Sequence, residues 1–315
     1  MSGLPERIQA LADAITHLMT GPEMPLHGRE VTDTKRNINL ISRCTRLARA
    51  VAAMAATFAM AGCGVIGYTI SSTPVPPGSD TLTGNWEIAV TTTSGSSPFS
   101  SLSGAVLQEA PLPNGQSPVV AELRTVAPTS CYLGLTTVPL QGNVSSTSLS
   151  LVSLSVAGQY LTLTGGNGST AENLSGSFSI FGGCADGVKG TLLGTKIAAM
   201  SGTYTGALNA GSSPGGTISL TLAQDSFSDG LGNFHVTGSA TFSGVSCFSG
   251  GTVQAIESMI SGQHVLLTIS TNETGGSTVT LAGTLDPAGT TLTLTSIQVT
   301  SGGCSGSVGT ATLVS

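Results

Sequence analysis

The sequence is poor in charge and in aromatic residues, and these shortages exclude two classes of structure. Charged residues make up 8% of the 315 residues and aromatic residues 4%, whereas about a quarter of the residues in soluble domains are charged. This composition excludes the highly charged type of disordered chain, and it differs from the Leu, Ala, Glu and Lys mixture of helical proteins. Glycine is abundant instead, with 43 residues. Together with Ser, Thr, Val and Leu, it favours short strands joined by tight turns.

Positive charge is scarce in most of the chain. Only Arg124, Lys189 and Lys196 follow Cys63, against eleven acidic residues, which gives this part a net charge of −8. Proteins that bind nucleic acids neutralise phosphates with clustered Lys and Arg side chains. We therefore predict that this protein has no nucleic-acid partner.

The apolar run over residues 50–61 (AVAAMAATFAMA) is too short to span a membrane, because a transmembrane helix needs about 20 residues. Five basic residues lie just before it, between Lys35 and Arg49, and small residues end it. A positive flank, an apolar core of about 7–15 residues and small residues at the end are typical of a secretory signal peptide. The alternative is a buried helix that happens to end in Gly-Cys.

The residues that follow, Met60-Ala61-Gly62-Cys63, resemble the lipobox of bacterial lipoproteins. The family pattern is Leu, a small residue, Gly or Ala, and then Cys, so Met60 is a mild departure. The resemblance implies cleavage before Cys63, a diacylglycerol thioether on its sulfur, and a further acyl chain such as palmitate. Two or more acyl chains hold a protein stably on a bilayer. We therefore expect the lipid bilayer to be a partner and the bacterial cell envelope to be the location.

The same resemblance divides the N-terminal part into segments. Residues 1–62 are expected to be an N-terminal extension and signal peptide that are removed, with translation starting downstream of Met1. Residues 63–81 are the lipidated Cys and a tether rich in Pro, Ser and Gly. In lipoproteins of double-membrane bacteria an Asp after the Cys commonly retains the protein at the inner membrane. Gly64 stands there instead, which favours the outer membrane.

The remaining residues contain an internal duplication with a period of about 118 residues. Four landmarks recur in the same order, and from the first glycine of each copy the two cysteines lie at +47 and +100, then at +45 and +102. The landmarks are LTGNW and MSGTY, the two GSSP segments, CYLG and CFSG, and the two GGC segments. This period is too long for a solenoid unit and indicates two domains, which we place at residues 82–198 and 199–315.

Each copy shows the two-residue period of half-buried strands. Ile218, Leu220 and Leu222 alternate with polar residues, and so do Val279 and Leu281. The fold class is predicted to be all-β, with two tandem antiparallel sandwiches or small barrels of six to nine strands each. The pattern slips by one residue after Leu294 and again after Leu151, which predicts a β-bulge at each place. Trp86 and Tyr204, two residues after a Gly in each copy, are expected to close one end of each core.

Four cysteines remain in the duplicated part, and an exported protein can oxidise them. Of the three possible connectivities, duplication favours Cys131–Cys184 and Cys247–Cys304, because a domain that was once single had to pair its own thiols. The spacing lacks the close Cys pairs of a zinc site. We predict no metal and no cofactor.

Catalytic motifs fail on their chemistry. Gly211-Ser212-Ser213-Pro214-Gly215 matches Gly-x-Ser-x-Gly, but Pro214 has no N–H for an oxyanion hole. The acidic segment from Asp225 to Gly230 lacks the ligands of a calcium loop at its third and twelfth positions, and reads better as a hairpin turn. Glu87, Glu109 and Glu122 show no pairing in their spacing.

Three classes of function stay open. We predict no enzyme and favour a structural, adhesion or interaction role with an envelope or extracellular protein or a glycan. A module for a small ligand or a glycan, held in a barrel interior or the cleft between domains, is the alternative. It would use the few aromatic residues as candidates: Trp86, Tyr132, Tyr160, Tyr204, Phe234 and Phe248.

Overall fold

The computed structural model is almost entirely β, and the part of the chain that it describes begins just before the first predicted domain. The described residues are 81–126, 131, 137–146, 148–165, 172–209, 215–245, 248–273, 276–300 and 306–315. Within them, the single helical element is a 3-10 turn at Gly183–Ala185, and no helix has the length and apolar character to cross a membrane. The predicted all-β fold class is confirmed.

The first copy forms a closed barrel, here called barrel 1, in which each strand pairs with the next one antiparallel and the eighth pairs with the first. Its strands are β1 (Gly84–Ser94), β2 (Ser101–Gln108), β3 (Ser117–Val126), β4 (Thr137–Val144), β5 (Leu149–Ser153), β6 (Tyr160–Gly165), β7 (Asn173–Phe181) and β8 (Lys189–Ile197). Of the two architectures that the sequence left open, barrel 1 adopts the closed barrel.

The second copy, barrel 2, closes in the same way with one strand position divided. Its strands are β9 (Ser201–Asn209), β10 (Thr217–Gln224), β11 (Phe234–Ser243), β12 (Gly250–Val253), β13 (Met259–Ser261), β14 (His264–Thr271), β15 (Thr278–Leu285), β16 (Thr291–Val299) and β17 (Gly306–Val314). Strands β12 and β13 both lie between β11 and β14. The ring closes through the pairings of β9 with β10 and with β17. Eight and nine strands lie within the predicted six to nine.

Alternating apolar side chains fill each barrel, as expected where eight strands leave an interior just wide enough for side chains. Ile218, Leu220 and Leu222 are buried, as the two-residue period predicts. The two aromatic residues at the barrel starts are also buried, and each satisfies its polar atom. The Trp86 Nε1–H donates to the Leu82 carbonyl at 2.8 Å, and the Tyr204 hydroxyl donates to the Gly289 carbonyl at 2.7 Å. The predicted core position of both is confirmed.

One of the two predicted bulges is present. Strand β16 pairs Leu294 with Gly283 and Ser296 with Ala282, so Thr295 is the extra residue, and both Leu294 and Ile297 face the core. The bulge predicted after Leu151 is wrong, because β5 and β6 pair without a register shift.

The chain instead leaves the sheet where β5 ends, at Ser153. The Ser153 hydroxyl accepts the Leu161 N–H at 2.7 Å. Val156 and Gln159 then close a tight turn through mutual backbone hydrogen bonds. The phase slip in the sequence therefore marks the end of a strand here.

The first predicted disulfide is present. Cys131, between β3 and β4, is bonded to Cys184, between β7 and β8, across 53 residues of sequence. The buried Gln159 carboxamide lies against this bond, with its Nε2 3.4 Å from the Cys131 carbonyl oxygen. Cys247 and Cys304 lie outside the described residues, as do Cys63 and residues 1–80. Their predicted pairing and lipidation stay predictions.

Candidate functional site between the two barrels

The two barrels are joined by a buried side-chain contact. Asn85 on β1 donates from Nδ2 to the Gly262 carbonyl at 2.8 Å, and its Oδ1 accepts the Gly262 N–H at 2.6 Å. Gly262 is in the turn between β13 and β14 and has a φ of +55°, which favours glycine. A Cβ there would lie 2.6 Å from the Ser103 Cβ. The turn therefore fits against barrel 1 only because residue 262 lacks a side chain.

A second contact joins β3 to the loop between β10 and β11. The Arg124 guanidinium donates to the Asn233 Oδ1 at 2.5 Å, and Asn233 in turn donates to Asp229 at 2.8 Å. Beside it, the Ser228 hydroxyl donates to the Glu122 carboxylate at 3.3 Å. This segment was predicted to be an acidic hairpin turn, and it is the turn that covers the outer face of β3.

The surroundings at this contact shift the pKa values of its two carboxyl groups, Glu122 and Asp229, in opposite directions. Burial raises the pKa of Glu122 above its ordinary value of 4.5, and the charge of Asp229 raises it further against opposing hydrogen bonds from Ser228 and Gly232. Burial alone would raise the pKa of Asp229 as well. The hydrogen bonds that it accepts from Asn233 and Leu231 nevertheless hold that pKa below 3.8. The contact therefore disfavours the ionised form of Glu122 and favours the ionised form of Asp229.

A cleft of about 710 Å³ opens between the barrels beside these contacts, which is within the size range of small-molecule sites. Barrel 1, the segment joining the barrels, and two loops of barrel 2 contribute to its walls. Its lining residues are Gly84, Asn85, Glu172, Lys196, Ile197, Ala198, Ala199, Gln224, Asp225, Ser226, Phe227, Phe234, Pro287 and Ala288.

The joining segment is fixed at this cleft. The Ala198 N–H donates to the Pro287 carbonyl at 3.0 Å, which ties the start of the link to the turn between β15 and β16. The turn at Pro287-Ala288-Gly289 therefore also forms part of the wall of the cleft.

Lys196 is the one cation among the described lining residues. Its Nζ donates to the Thr81 carbonyl at 2.8 Å, and its stem lies over Gly84, where a Cβ would be 2.7 Å from the Lys196 Cε. Burial lowers the pKa of this amine, and the charge of Glu172 partly offsets the shift. The ammonium is thus already engaged by the chain, so the cleft has little capacity to hold a phosphate or another anion.

The aromatic residues named as ligand contacts are mostly elsewhere. Phe234 lines the cleft, whereas Trp86 and Tyr204 are in the cores and Phe248 packs edge-on against Phe242 at 4.9 Å. Tyr160 is on the outer surface, 49% exposed, and Tyr132 lies outside the described residues. The cleft takes a second aromatic side chain from Phe227, which the sequence analysis did not single out.

The cleft offers mainly apolar contacts from Ile197, Phe227, Phe234 and Pro287. Neither His nor Cys is among its described lining residues, and no group of three potential metal ligands occurs in the described part of the chain. The Gly-x-Ser-x-Gly segment lies outside that part, except for Gly215. The arrangement can bind a small apolar or uncharged molecule.

Asn85, Lys196 and Phe227 were not predicted as site residues, although Asn85 lies in the LTGNW landmark and Phe227 in the acidic turn. The duplication does carry a signal for Asn85, because Thr203 is the corresponding residue of the second copy. No comparable signal exists for Phe227, whose position depends on the docking of one barrel on the other.

Comparison with known proteins identifies no relative of this chain. No protein-family model, no curated protein and no solved structure matches it. The function has to be argued from the residues of the chain itself.

Proposed function

We propose that this protein is a lipid-anchored component of a bacterial cell envelope that acts by binding a partner rather than by catalysis. Cys63 carries the lipid, residues 1–62 are removed, and the two barrels stand outside the inner membrane, with the outer membrane favoured. The observation that supports this address is the Cys131–Cys184 disulfide, because structural disulfides belong to oxidising compartments. The lipobox resemblance is an independent argument for the same address.

The filled barrels support a binding role on their outer surfaces. Inward positions of the strands carry buried Leu, Ile, Val and Phe side chains in both barrels, so the interiors are occupied by the protein's own core. The buried pair of Asn85 and Gly262 fixes one barrel on the other. A rigid pair of barrels on a tether presents a wide surface at low entropic cost, which favours binding.

The test is acylation and processing of the full chain expressed in a Gram-negative host. Growth with an alkyne analogue of palmitate should label the wild-type protein, and Cys63→Ser should abolish the label and release the protein from the membrane fraction. Mass spectrometry should find a mature N terminus at an acylated Cys63. Unlabelled protein that retains peptides from residues 1–62 would refute the address.

The cleft supports a second candidate function, the binding of a small uncharged ligand. Its volume of about 710 Å³ and its apolar walls are the observation in favour. Native mass spectrometry of protein purified from its own membrane should then show a bound small molecule in the wild type. Ala199→Trp, which fills the cleft from an exposed position of the link, should remove it. A wild-type mass without added ligand would count against this candidate.

A further inference from the structure

The outer face of barrel 1 over β5 to β8 carries hydroxyl groups and almost no charge. Outward positions alternate with the buried ones along each strand. Among the outward positions of these four strands that the structure describes, Lys189 is the one charged residue. The register aligns the hydroxyls in rows across neighbouring strands, as between Thr164 and Ser177, whose oxygens are 2.9 Å apart. The outward hydroxyl residues of these strands include Thr162, Thr164, Ser175, Ser177, Ser179 and Thr191.

Two exposed aromatic residues stand side by side at one end of these rows. Tyr160 and Phe181 are direct partners across β6 and β7, and they are 49% and 52% exposed. Most of the described aromatic side chains are buried, so a pair of exposed ones on neighbouring strands calls for an explanation. We call Tyr160 and Phe181 the aromatic pair. The next row on the same face is Thr162 and Ser179, so the rings continue directly into the hydroxyl rows.

The backbone beneath the aromatic pair is held rigidly. Phe181 is three residues before the disulfide-bonded Cys184, and Tyr160 follows Gln159, which is fully buried against that disulfide. The two strand ends also approach closely, because a Cβ at Gly182 would lie 2.8 Å from the Gly158 carbonyl oxygen. The disulfide thus restrains the backbone next to both aromatic residues, which lowers the entropic cost of binding a rigid ligand.

Barrel 2 lacks the pair at the corresponding positions. The aligned ladders place Leu161 opposite Ile180 in barrel 1 and Val279 opposite Val299 in barrel 2, so Tyr160 and Phe181 correspond to Thr278 and Thr300. The Thr300 N–H donates to the Thr278 carbonyl at 2.8 Å, which keeps the same pairing. The fold therefore accepts threonine at both positions, and the aromatic residues are not needed to build a barrel.

We propose that the aromatic pair and the adjoining hydroxyl rows of barrel 1 bind an uncharged polysaccharide. Sugar rings present apolar C–H faces that stack on aromatic rings, and hydroxyl groups that exchange hydrogen bonds with Thr and Ser. An anionic polymer or an anionic lipid surface finds one opposing charge here, Lys189, in a domain pair of net negative charge. The proposal rests on the proposed binding role and names its partner class. It replaces the barrel interior and the cleft with the outer face as the glycan site.

The test is affinity electrophoresis of the full chain, in detergent, through gels that contain amylose, laminarin or glucomannan as neutral polysaccharides. Wild-type protein is expected to be retarded by at least one of them, and retardation should change little between about 0.05 and 0.5 M salt because charge contributes little. The double variant Tyr160→Thr/Phe181→Thr gives barrel 1 the residues of barrel 2 and should weaken retention at least about tenfold in apparent affinity. Circular dichroism and disulfide mapping check that it folds.

Two controls locate the site. Phe227→Thr removes the exposed aromatic side chain of the cleft and should leave retention unchanged, and so should Thr278→Ala/Thr300→Ala in barrel 2. Loss with Phe227→Thr, or equal retention of the double variant and the wild type, would overturn the proposal. So would absence of retention in all three gels, or binding to neutral phosphatidylcholine vesicles that depends on Tyr160 and Phe181. None of these results bears on acylation at Cys63, so this proposal and the proposed address can fail separately.

Discussion

Replacing Asn85 by Ala should lower the stability of the protein and weaken the coupling between the unfolding of the two barrels. Its side chain is 2% exposed, and it satisfies both the N–H and the carbonyl of Gly262. The substitution leaves these two backbone groups without the partner that they have now. An unsatisfied buried polar group costs about 1–3 kcal/mol, and partial entry of water reduces that cost. We therefore expect a loss of about 2–4 kcal/mol in unfolding free energy, or roughly 5–15 °C in melting temperature.

Urea unfolding followed by two probes measures this effect. Trp86, the one tryptophan of the chain, lies in the core of barrel 1, so its fluorescence reports on that barrel, whereas far-ultraviolet circular dichroism reports on both. Wild-type protein should give coincident transitions, because the barrels stabilise each other. In Asn85→Ala the transitions should separate, and the Gly262 amide should exchange its hydrogen faster.

Asn114 provides a matched control, because it lies in the exposed turn between β2 and β3, where its Oδ1 accepts the Gln116 N–H at 3.0 Å. Asn114→Ala should change the unfolding free energy by less than about 0.5 kcal/mol, as is usual at exposed positions. If both variants lose the same small amount, or if the two probes of Asn85→Ala still coincide, the barrels are not coupled through the Asn85–Gly262 pair.

Three further predictions concern single features of the fold. Cys131→Ser/Cys184→Ser should lose up to about 4 kcal/mol in chemical denaturation, from the entropy of the closed loop; an unchanged midpoint would contradict this. Ala157 has a φ of +51° in the turn before Gln159, so Ala157→Asn should gain about 0.5–1 kcal/mol in the same assay, and a loss would contradict the strain. Glu122 has a raised pKa, so its contribution to stability is most favourable below pH 4.5 and is lost as the pH rises through the folded-state value. Glu122→Gln should therefore melt at a higher temperature than wild type at pH 7 and at the same temperature near pH 3, and a parallel pH profile would refute this.

The fold class could be predicted from the sequence because the two-residue alternation of apolar residues recurs in many strands and in both copies of the duplicated domain. Alternation of apolar residues recurs along the strands, and the bulge at Thr295 shifts that alternation visibly. After Leu151 the same shift arises from a strand end, because the Ser153 hydroxyl substitutes for a ladder partner. A shift of phase cannot distinguish the two cases, since both move the next apolar residue by one position.

The interface was not predicted, although the outward positions of the two copies do differ there. The aligned ladders set Asn85 and Glu87 of barrel 1 against Thr203 and Thr205 of barrel 2. In the same way, Glu122 and Arg124 correspond to Ser239 and Thr241. Barrel 2 thus has exposed hydroxyls where barrel 1 has Asn, Glu and Arg, and all four of these residues contact barrel 2. Comparison of one copy with the other at outward positions would have identified this face.

The cysteine spacing is nearly the same in the two copies, so it gave no indication of the segment of barrel 2 that contacts Asn85. Leu140 and Val253 are equivalent, because they pair with the equivalent residues Ala121 and Gly238 of the preceding strand. From the first cysteine of each copy to this point there are 9 residues in barrel 1 and 6 in barrel 2.

From this point to the paired residue on the next strand there are 13 residues in barrel 1 and 16 in barrel 2. A shortening of three residues and an extension of three thus cancel, so the landmarks stay in step while the hairpin of barrel 2 grows. The lengthened connection contains β13 and Gly262, the residue that contacts Asn85. The part of the second copy that departs from the repeat is therefore the part that fixes it to the first. By the same reasoning, the departures of barrel 1 that barrel 2 leaves uncovered, Tyr160 and Phe181, are the ones to test for a partner outside the chain.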